Sequence, residues 1–229
     1  MALSGAEGDA FVRAHTAPAQ APLVPEITLM LASEITPIWQ ASEDWLAARD
    51  IDPPFWAFAW PGGQALARHV LDHRESVAGR RVLDFAAGSG IAAIACARAG
   101  AAEVEAAEID ALAACAIRLN AHANGVRVAV APGDIVGEPS RWDLILCGDI
   151  CYEAPMAARI LPWLRRVAET TEVWLADPGR AYLPKSGLAA FMRYVVPTTL
   201  ELEDRTERVV TLYRLAPDDD MTWRRDDKN

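Results

Sequence analysis

The sequence predicts an α/β fold with a mostly parallel β-sheet, helices on both of its faces, an antiparallel C-terminal hairpin and an N-terminal helical cap. Through the middle of the chain, apolar runs typical of strands alternate with helical stretches of ten or more residues, which indicates a parallel sheet. Two extended runs near the C-terminus have no helix between them, which favours antiparallel pairing at a sheet edge. The 229 residues, 52% of them hydrophobic, suffice for one domain with a full core.

The first 60 residues are less regular and are predicted to form a cap or arm, not a separate domain. An arm rich in Ala and Pro covers 17–25. A helical pattern follows through Leu29, Leu31 and Ile35, and another spans 39–48. The expected divisions are a helical cap over 1–60, the main domain over 61–217 and a charged tail over 218–229.

The regular part begins with a helix over 63–73 and continues with five strands joined by helices. The strands are predicted at 81–86, 103–108, 126–131, 142–148 and 172–177. The helix after the second strand is the clearest, because Asp110 is a suitable N-cap and Gly125 a suitable stop. Its apolar stripe is formed by Leu112, Cys115, Ala116 and Leu119.

After residue 177 the pattern changes to a loop that contains Pro178, Gly179 and Pro184. A helix is predicted over 188–192. Extended runs over 194–202 and 208–215 follow it, and these are the expected strands of the C-terminal hairpin.

Charge and targeting signals restrict the partners that the chain can have. The formal net charge of −10 argues against a nucleic-acid groove, which usually carries clustered Lys and Arg, and favours a basic protein surface as partner. The N-terminus lacks a basic region followed by an apolar core, and no apolar run approaches the length of a membrane span. We expect a soluble, cytoplasmic, monomeric protein that does not bind membranes.

The cysteines fall inside apolar segments, with no CxxC pair and no histidine at ligand spacing. They are Cys96, Cys115, Cys147 and Cys151. Buried, reduced thiols are therefore expected, and no metal site is predicted.

The segment 82–90 carries the strongest functional signal, because it joins an apolar strand to a glycine loop. Gly88 and Gly90 let the backbone approach a ligand closely, and the helix that follows presents unpaired N–H groups at its start. Glu108 ends the next strand 18 residues beyond Gly90, where a carboxylate can bind ribose hydroxyls. Together these features predict a nucleotide-like cofactor.

The same features also describe a dinucleotide dehydrogenase, and Asp84 separates the two alternatives. Dehydrogenase loops keep the preceding strand apolar, whereas Asp84 places a carboxylate at the strand end beneath the loop. Such a carboxylate can organise loop amides and meet the ammonium of an amino-acid ligand, which S-adenosylmethionine has and nicotinamide cofactors lack. S-adenosylmethionine is therefore the favoured cofactor, with S-adenosylhomocysteine as its product.

Two further strand ends place polar groups beside this cofactor. Asp134 follows the third strand, where it could accept the adenine amino group while Ile135 covers the ring; a simple turn after Gly133 is the alternative. Asp149 and Tyr152 follow the fourth strand, at the reacting end of the cofactor. The alternative there is that Asp149 caps the next helix and Tyr152 packs in the core.

On these residues the chain resembles the seven-strand methyltransferases, and within them the lysine methyltransferases of the electron-transfer flavoprotein β-subunit. The matching segments lie between residues 54 and 180. They are Pro54-Phe55-Trp56-Ala57, Trp60-Pro61-Gly62-Gly63-Gln64-Ala65-Leu66, the glycine loop, Glu108-Ile109-Asp110, Trp142-Asp143-Leu144, Gly148-Asp149 with Tyr152, and Asp177-Pro178-Gly179-Arg180. The tryptophan segment and the Asp-Pro-Gly-Arg step are the specific ones.

The resemblance implies a seven-stranded, Rossmann-like sheet and methyl transfer from S-adenosylmethionine to lysine side chains of the flavoprotein β-subunit, a transient protein partner. It implies that Asp149 and Tyr152 act on the lysine. The residues expected at the cofactor are Trp60, Asp84, Ala86, Gly88, Ser89, Gly90, Glu108, Ile109, Asp134, Ile135 and Gly148. Asp177 and Arg180 are expected to meet the substrate or brace the site, with a surface ion pair as the alternative for Arg180.

Other interpretations remain open at this point. Asp52-Pro53-Pro54-Phe55 looks like the D-P-P-[YF] loop of nucleic-acid amino-methyltransferases, but a helical pattern precedes it where a strand is needed, so a turn is predicted. The chain departs from the family pattern at two places. Phe85-Ala86-Ala87 stands where the family usually has small residues or glycines, and Glu108 stands where it has an aspartate. Both changes keep the expected cofactor binding, since a glutamate still accepts two ribose hydroxyls. The alternative functions are methyl transfer to a small molecule, a nucleic acid or another protein, and an inert binding module with the same fold.

Overall fold

Seven strands of the described residues form one sheet at the centre of the structure. The structure is a computed structural model that describes residues 3, 5–41, 43–48, 51–131 and 133–217. In chain order the elements are α1 (Gly5–His15), β1 (Ala17–Ala21), β2 (Val24–Leu31), α2 (Glu43–Ala47), α3 (Pro61–Asp72), β3 (Arg81–Phe85), α4 (Ile91–Ala99), β4 (Glu103–Ala107), α5 (Ala111–Ala123), β5 (Ala129–Ala131), β6 (Leu144–Gly148), α6 (Ala154–Val167), β7 (Glu172–Asp177), β8 (Leu188–Pro197), α7 (Leu200–Glu203) and β9 (Glu207–Leu215). Short 3₁₀ helices cover Phe55–Ala57 and Arg74–Ser76.

The sheet order is β5-β4-β3-β6-β7-β9-β8. The first five strands in that order are parallel, and β9 lies antiparallel between β7 and β8, so the C-terminal hairpin closes one edge. Buried side chains fill β6, which explains its continuous apolar sequence Leu144-Ile145-Leu146-Cys147. The predicted fold class is confirmed, although β5 and β6 begin later than expected.

Helices cover both faces because alternate side chains of the strands point to opposite sides of the sheet. Val82 and Leu144 pack in one core cluster with α3 and α4. Leu83 and Ile145, their neighbours along the strands, pack in a second cluster with α6. The carboxyl ends of the parallel strands stay open between these two layers.

The predicted helix over 188–192 is wrong, because these residues are the first half of β8. Leu188 pairs with Leu215 and Ala190 with Tyr213, and the register shifts before Met192. The helical preference of Ala, Leu and Met is weak, and hydrogen bonding to β9 outweighs it. The predicted extended run 194–202 likewise ends early, since α7 begins at residue 200.

The N-terminal cap contains a β-hairpin as well as helices. The predicted helix through Leu29, Leu31 and Ile35 is wrong, because Val24–Leu31 forms β2, which pairs with β1. Leu29 is fully buried in the core cluster of α3 and α4. The predicted tail, 218–229, lies outside the described residues.

Asn120 of α5 and Asn124, the C-cap of that helix, bind the backbone of β2, and Asn120 connects it to the glycine loop. Asn124 Oδ1 accepts the Thr28 N–H at 3.1 Å, and its Nδ2 donates to the Thr28 carbonyl at 2.6 Å. Asn120 Oδ1 accepts the Met30 N–H at 2.7 Å, and its Nδ2 donates to the Ser89 carbonyl at 2.8 Å. Asn120 is fully buried, so hairpin, helix and loop are joined inside the protein.

The cysteines are all buried and free, as predicted. Across the described ranges, no helix has both the length and the apolar character that crossing a bilayer requires. Nor does that part of the chain contain a group of three or more His, Cys, Asp or Glu side chains placed to hold a metal ion.

Candidate functional site

A cavity of about 730 Å³ opens at the carboxyl ends of β3, β4 and β6, within the usual volume range of small-molecule sites. Its walls come from the glycine loop after β3, the end of β4, the segments after β5 and β6, and the aromatic segment before α3. β3 has β4 on one side and β6 on the other. This is the switch point of the sheet, where α/β proteins bind ligands.

The glycine loop joins two strand ends of the cavity. Gly88 has φ +52°, and its N–H donates to Glu108 Oε2 at 3.0 Å, so the loop is fixed to the end of β4. Gly90 has φ +75°, and a Cβ there would lie 3.2 Å from Ile117 of α5. Gly90 is also the N-cap of α4, so the unpaired N–H groups of that helix begin at the loop. The loop therefore offers donors to an anionic ligand group.

Ala86 lines the cavity with φ +54°, in the left-handed region that favours glycine. We expect Ala86→Gly to raise the free energy of unfolding by about 0.5–1 kcal/mol, because the relief of strain exceeds the added chain entropy of glycine. Ala87, which lacks a positive φ, is the matched control, and Ala87→Gly should lower stability by a similar amount. Urea unfolding of the wild type and both variants measures the two changes. Equal losses from both substitutions would contradict the strain argument.

Two carboxyl groups beside the loop are held away from water. Asp84 is 4% exposed and accepts the Ala93 N–H at 2.9 Å. Burial raises the pKa of Asp84 to about 7, and the charge of Glu108 adds to the rise. Burial also raises the pKa of Glu108, against the lowering effect of three backbone N–H donors. A ligand that brings a cation or hydroxyl donors would stabilise the ionised form of both carboxyl groups.

Asp134, Ile135 and Ile109 lie on the cavity wall. The sequence predicts the first two at an adenine ring and Ile109 at the cofactor. Ile135 is buried, whereas Ile109 is 73% exposed and offers an apolar face to a ligand. Asp134 is ion-paired with Arg159 of α6, which lowers the pKa of Asp134. Its other oxygen accepts the Val136 N–H at 3.0 Å, so Asp134 is also a turn residue, the alternative that the sequence leaves open.

The tryptophan segment packs its backbone directly on the end of β6. Trp60 Nε1 donates to the Phe55 carbonyl at 2.7 Å just before α3 begins. A Cβ on Gly62 would lie 2.5 Å from Asp149 Oδ2, and a Cβ on Gly148 would lie 2.8 Å from a backbone nitrogen of α3. Glycine at both positions therefore lets α3 and β6 meet at the cavity.

Asp149 follows β6 with φ +55° and is 8% exposed. Its Oδ2 accepts the Gly62 N–H at 2.5 Å, and its Oδ1 accepts from Arg180 Nη2 at 3.0 Å. Burial raises the pKa of Asp149 to about 6, although the charge of Arg180 lowers it. Glu153, not Asp149, is the N-cap of α6, so helix capping does not account for this aspartate.

Tyr152 and Phe55 form an aromatic wall at the cavity opening. Their ring centroids are 5.5 Å apart at 60°, and the rings are 37% and 43% exposed. Phe55 also lies 5.9 Å from the ring of Trp60. Burial raises the pKa of Tyr152, so its hydroxyl stays protonated. An amine beside this wall would lose part of its hydration.

The site has counterparts among known proteins. A family model for ribosomal protein L11 methyltransferase (PrmA) matches residues 65–153. An electron transfer flavoprotein beta subunit lysine methyltransferase from Xenopus laevis is 40% identical over 175 residues, which are 75% of this chain and 70% of the relative. Relatives of the same name from Danio rerio and Homo sapiens are 36% and 35% identical over 206 and 189 residues. These matches span 86% and 81% of this chain and 79% and 71% of the relatives.

The chain belongs to the electron transfer flavoprotein beta subunit lysine methyltransferase family. The prediction of an S-adenosylmethionine-dependent methyltransferase is thereby confirmed.

Solved structures share the fold of this lysine methyltransferase. A ribosomal protein L11 methylase from Lactobacillus delbrueckii subsp. bulgaricus has a TM-score of 0.50 and 22% identity over 70% of this chain and 81% of its own. A magnesium protoporphyrin IX methyltransferase from Synechocystis PCC 6803, solved with bound S-adenosylmethionine, has a TM-score of 0.50 and 17% identity over 80% of this chain and 100% of its own. At these identities the likeness shows the fold alone.

The cavity brings together the site residues predicted from the sequence, with one exception. Gly90 does not line it and lies behind the loop against Ile117. Those that line it are Trp60, Asp84, Ala86, Gly88, Ser89, Glu108, Ile109, Asp134, Ile135, Gly148, Asp149 and Tyr152. Their individual roles stay predictions.

Sequence reasoning expected Arg180 at the site of this lysine methyltransferase but missed two other parts. Phe55 lies in the cavity wall, although the residues alone predict a turn for its segment. The alternative of a surface ion pair for Arg180 is wrong, because its side chain is 19% exposed and binds two carboxylates. One of these, Glu203, is 1% exposed and has no motif that announces it.

Proposed function

We propose that this chain transfers the methyl group of S-adenosylmethionine to lysine side chains of the electron transfer flavoprotein β-subunit. The observation that carries the proposal is a single cavity that contains the glycine loop, Glu108, Asp149 and Tyr152. The donor site and the amine site must share one space, because the methyl group passes directly from one to the other. The names of the relatives support the choice of substrate.

The cavity residues fit this cofactor in their donor and acceptor types. Glu108 is suited to the ribose hydroxyls, and Asp84 to the ammonium of the amino-acid part. The loop amides suit its carboxylate, while Ile109 and Ile135 suit the two faces of the adenine. Asp134 would accept the adenine amino group by sharing its carboxylate with Arg159. When bound, S-adenosylmethionine supplies a methyl group activated by a positively charged sulfur.

The lysine must react as a neutral amine, because only a free lone pair can attack the methyl carbon. At pH 7 about one free lysine in a few thousand is neutral. Asp149 would fix the direction of the amine N–H groups, and Tyr152 would exclude water. The lysine proton leaves to solvent first; the nitrogen–carbon bond then forms as the carbon–sulfur bond breaks, and its electron pair stays on sulfur. Alignment of this kind supplies about 7–11 kcal/mol of the barrier reduction.

Cofactor binding is expected to weaken below pH 7, because a proton must leave Asp84 before its carboxylate can pair with the ligand ammonium. Since burial raises the pKa of Asp84 to about 7, the affinity for S-adenosylhomocysteine should fall about tenfold per pH unit below that value and level off just above it. Calorimetric titrations across this range measure the slope. Asp84→Asn should remove it, while Asp72→Asn, at an exposed ion pair, should keep it. A wild-type affinity that does not change with pH would rule out this role.

We further propose that the β-subunit binds transiently to a cytoplasmic, monomeric enzyme that binds no nucleic acid. The net charge of −10 supports a basic protein surface as the docking partner. The proposed division of the chain is a cap over 1–60, a methyltransferase domain over 61–217 and a charged tail over 218–229.

Mass spectrometry of the β-subunit tests the proposed function. Unmethylated β-subunit is incubated with S-adenosylmethionine, with and without this enzyme, and lysine methylation is expected only when the enzyme is present. A parallel incubation of enzyme, labelled cofactor and cell extract should label one band of β-subunit mass. Label confined to small molecules or to nucleic acid would replace this substrate with another, and no label at all would contradict the transferase.

A further inference from the structure

Arg180 brings a positive charge into the cavity wall beside Asp149. Its Nη2 lies 3.0 Å from Asp149 Oδ1. The arginine side chain is 19% exposed and that of the aspartate 10%, so water screens the pair less than it screens a surface ion pair. Arginine also stays charged throughout the pH range in which enzymes work. The ion pair between Arg180 and Asp149 therefore persists at every pH at which Asp149 is ionised.

Glu203 of α7 fixes the guanidinium in this position. Glu203 Oε1 and Oε2 accept from Arg180 Nη2 and Nη1 at 2.5 and 3.1 Å, a bidentate arrangement. Glu203 is 1% exposed and also accepts from Arg208 Nε at 2.9 Å. On the other side, Asp177 Oδ1 accepts the backbone N–H of Arg180 at 2.6 Å. The loop after β7, α7 and β9 thus all contribute to holding this one side chain.

Both oxygens of Asp149 are engaged, one by the Gly62 N–H and the other by Arg180. An ammonium that approaches Asp149 therefore meets a carboxylate whose charge is already compensated. The attraction that would favour an ammonium over a neutral amine is weak in that position. The free lone pairs of the carboxylate can still accept an N–H of the neutral amine.

We infer that Arg180, positioned by Glu203, compensates the charge of Asp149 and thereby keeps the incoming lysine as a neutral amine. The inference rests on the proposed function. It removes a conflict in the mechanism, since an uncompensated Asp149 would attract the lysine but also hold it as an unreactive ammonium. Glu203 acts only through Arg180 and is a positioning residue.

The other titratable and charged groups that face this pair do not supply the same compensation. They are Asp177 at the end of β7, Cys151 after β6, Glu203 on α7 and Arg208 on β9. Tyr152 lines the same cavity. Asp177 raises the pKa of Asp149 and so opposes Arg180. Burial raises the pKa of Cys151 to about 12, so that thiol stays neutral. Without Arg180, the remaining cation of the group, Arg208, contacts Glu203 and not Asp149.

The pH dependence of kcat tests the inference on wild type, Arg180→Met, Arg180→Lys and Glu203→Gln with saturating β-subunit. Arg180→Met should shift the profile to higher pH by about one unit or more, which is about a tenfold loss near pH 7 that disappears in alkali. Arg180→Lys keeps the positive charge but lacks the planar guanidinium that binds carboxylates through two nitrogens. Its kcat should therefore fall, while the midpoint of its pH profile stays that of the wild type. Glu203→Gln weakens the positioning of Arg180 and also removes a negative charge near Asp149, so its kcat should fall while the midpoint of its profile does not rise above that of the wild type.

The Asp149 carboxyl gives a second readout that needs no turnover. Carbon-13 NMR of aspartate-labelled protein, assigned with Asp149→Asn, should show a higher pKa of Asp149 in Arg180→Met and little change in Arg180→Lys. The wild-type reaction reports separately on the proposed function. If the wild type fails to methylate the β-subunit, that function falls, while the Asp149 titration still decides whether Arg180 compensates its charge.

Arg141→Met is the matched control. Arg141 precedes β6, at the opposite end of the strand from Asp149, and pairs with Glu105 and Glu138 on the surface. Its removal should move neither the kcat profile nor the Asp149 titration. Two results would overturn the inference and indicate a purely structural ion pair. One is a kcat of Arg180→Met that falls equally at every pH, and the other is a pKa of Asp149 that does not respond to this substitution.

Discussion

Replacing Asp149 with asparagine is expected to lower kcat for β-subunit methylation by about 100- to 1000-fold. Asparagine tolerates φ +55° and can still accept the Gly62 N–H, so the end of β6 should keep its shape. The change removes the charged acceptor that fixes the N–H direction of the amine. Cofactor affinity should match that of the wild type, because the proposed cofactor contacts come from Asp84, the glycine loop and the segments after β4 and β5, and not from Asp149.

Initial rates by mass spectrometry and calorimetric titration with S-adenosylhomocysteine measure these two effects separately. Asp143→Asn is the matched control, because Asp143 also binds an arginine, Arg81, but at an exposed position before β6. Its kcat should be unchanged. Turnover at the wild-type rate in Asp149→Asn would reject the role of Asp149 in positioning the lysine.

Gly62→Ala should lower the free energy of unfolding by about 2–3 kcal/mol and kcat by about 100-fold. The new Cβ would lie 2.5 Å from Asp149 Oδ2, 2.8 Å from Asp149 N and 2.6 Å from the Ala176 carbonyl. Two of these three atoms belong to the backbone and cannot rotate away, so α3 must move off β6 and displace Asp149. Helix propensity alone predicts the opposite sign, since alanine favours helices more than glycine does.

Gly63→Ala, one position along α3, is the control for this prediction. Its Cβ would approach only Ile91 Cγ2, at 3.1 Å, and a methyl group at the end of a side chain can adjust. Its stability should change by less than about 1 kcal/mol. Urea unfolding and initial rates of both variants provide the comparison. Equal stability of the two variants would show that α3 and β6 do not approach so closely in solution.

The parts of the fold that local chemistry specifies could be predicted from the sequence. Asp110 does cap α5, because its Oδ1 accepts the Leu112 N–H at 2.7 Å, and Gly125 adopts φ +65° just beyond that helix. The short apolar runs that form β3 and β6 likewise predict buried strands. The glycine loop and the carboxylates after these strands follow, because the carboxyl ends of parallel strands meet at one edge.

The errors concern segments whose partners are distant in sequence. β2 pairs with β1, but its other backbone groups depend on Asn120 and Asn124, about 90 residues further on. The segment 188–192 is a strand because β9 lies beside it. No periodicity within either segment records those partners, and helical and extended patterns are hard to separate over a few apolar residues.

The same limit applies to the candidate site. The Asp-Pro-Gly-Arg step marks Arg180, but whether it reaches the surface or the cavity is decided by Glu203, 23 positions away on a four-residue helix. Asp134 is similar, since its ion pair with Arg159 joins the β5 end to α6 across 25 positions. A motif predicts which residues lie together at the sheet edge, but it does not predict which of their charged groups form ion pairs.

Asn120 makes residue 60 a poor place to cut this protein. The amide of Asn120 spans from the Met30 N–H to the Ser89 carbonyl, so a minimal enzyme trimmed to the catalytic domain would lose the N–H donor of Asn120 Oδ1 and uncover the apolar face that Leu29 closes. A shortened chain should therefore express poorly and bind cofactor weakly, because the cut removes Phe55 from the cavity wall as well as the hairpin, which itself contributes no cavity residue. For anyone engineering this scaffold, the hairpin has to be retained along with the catalytic half.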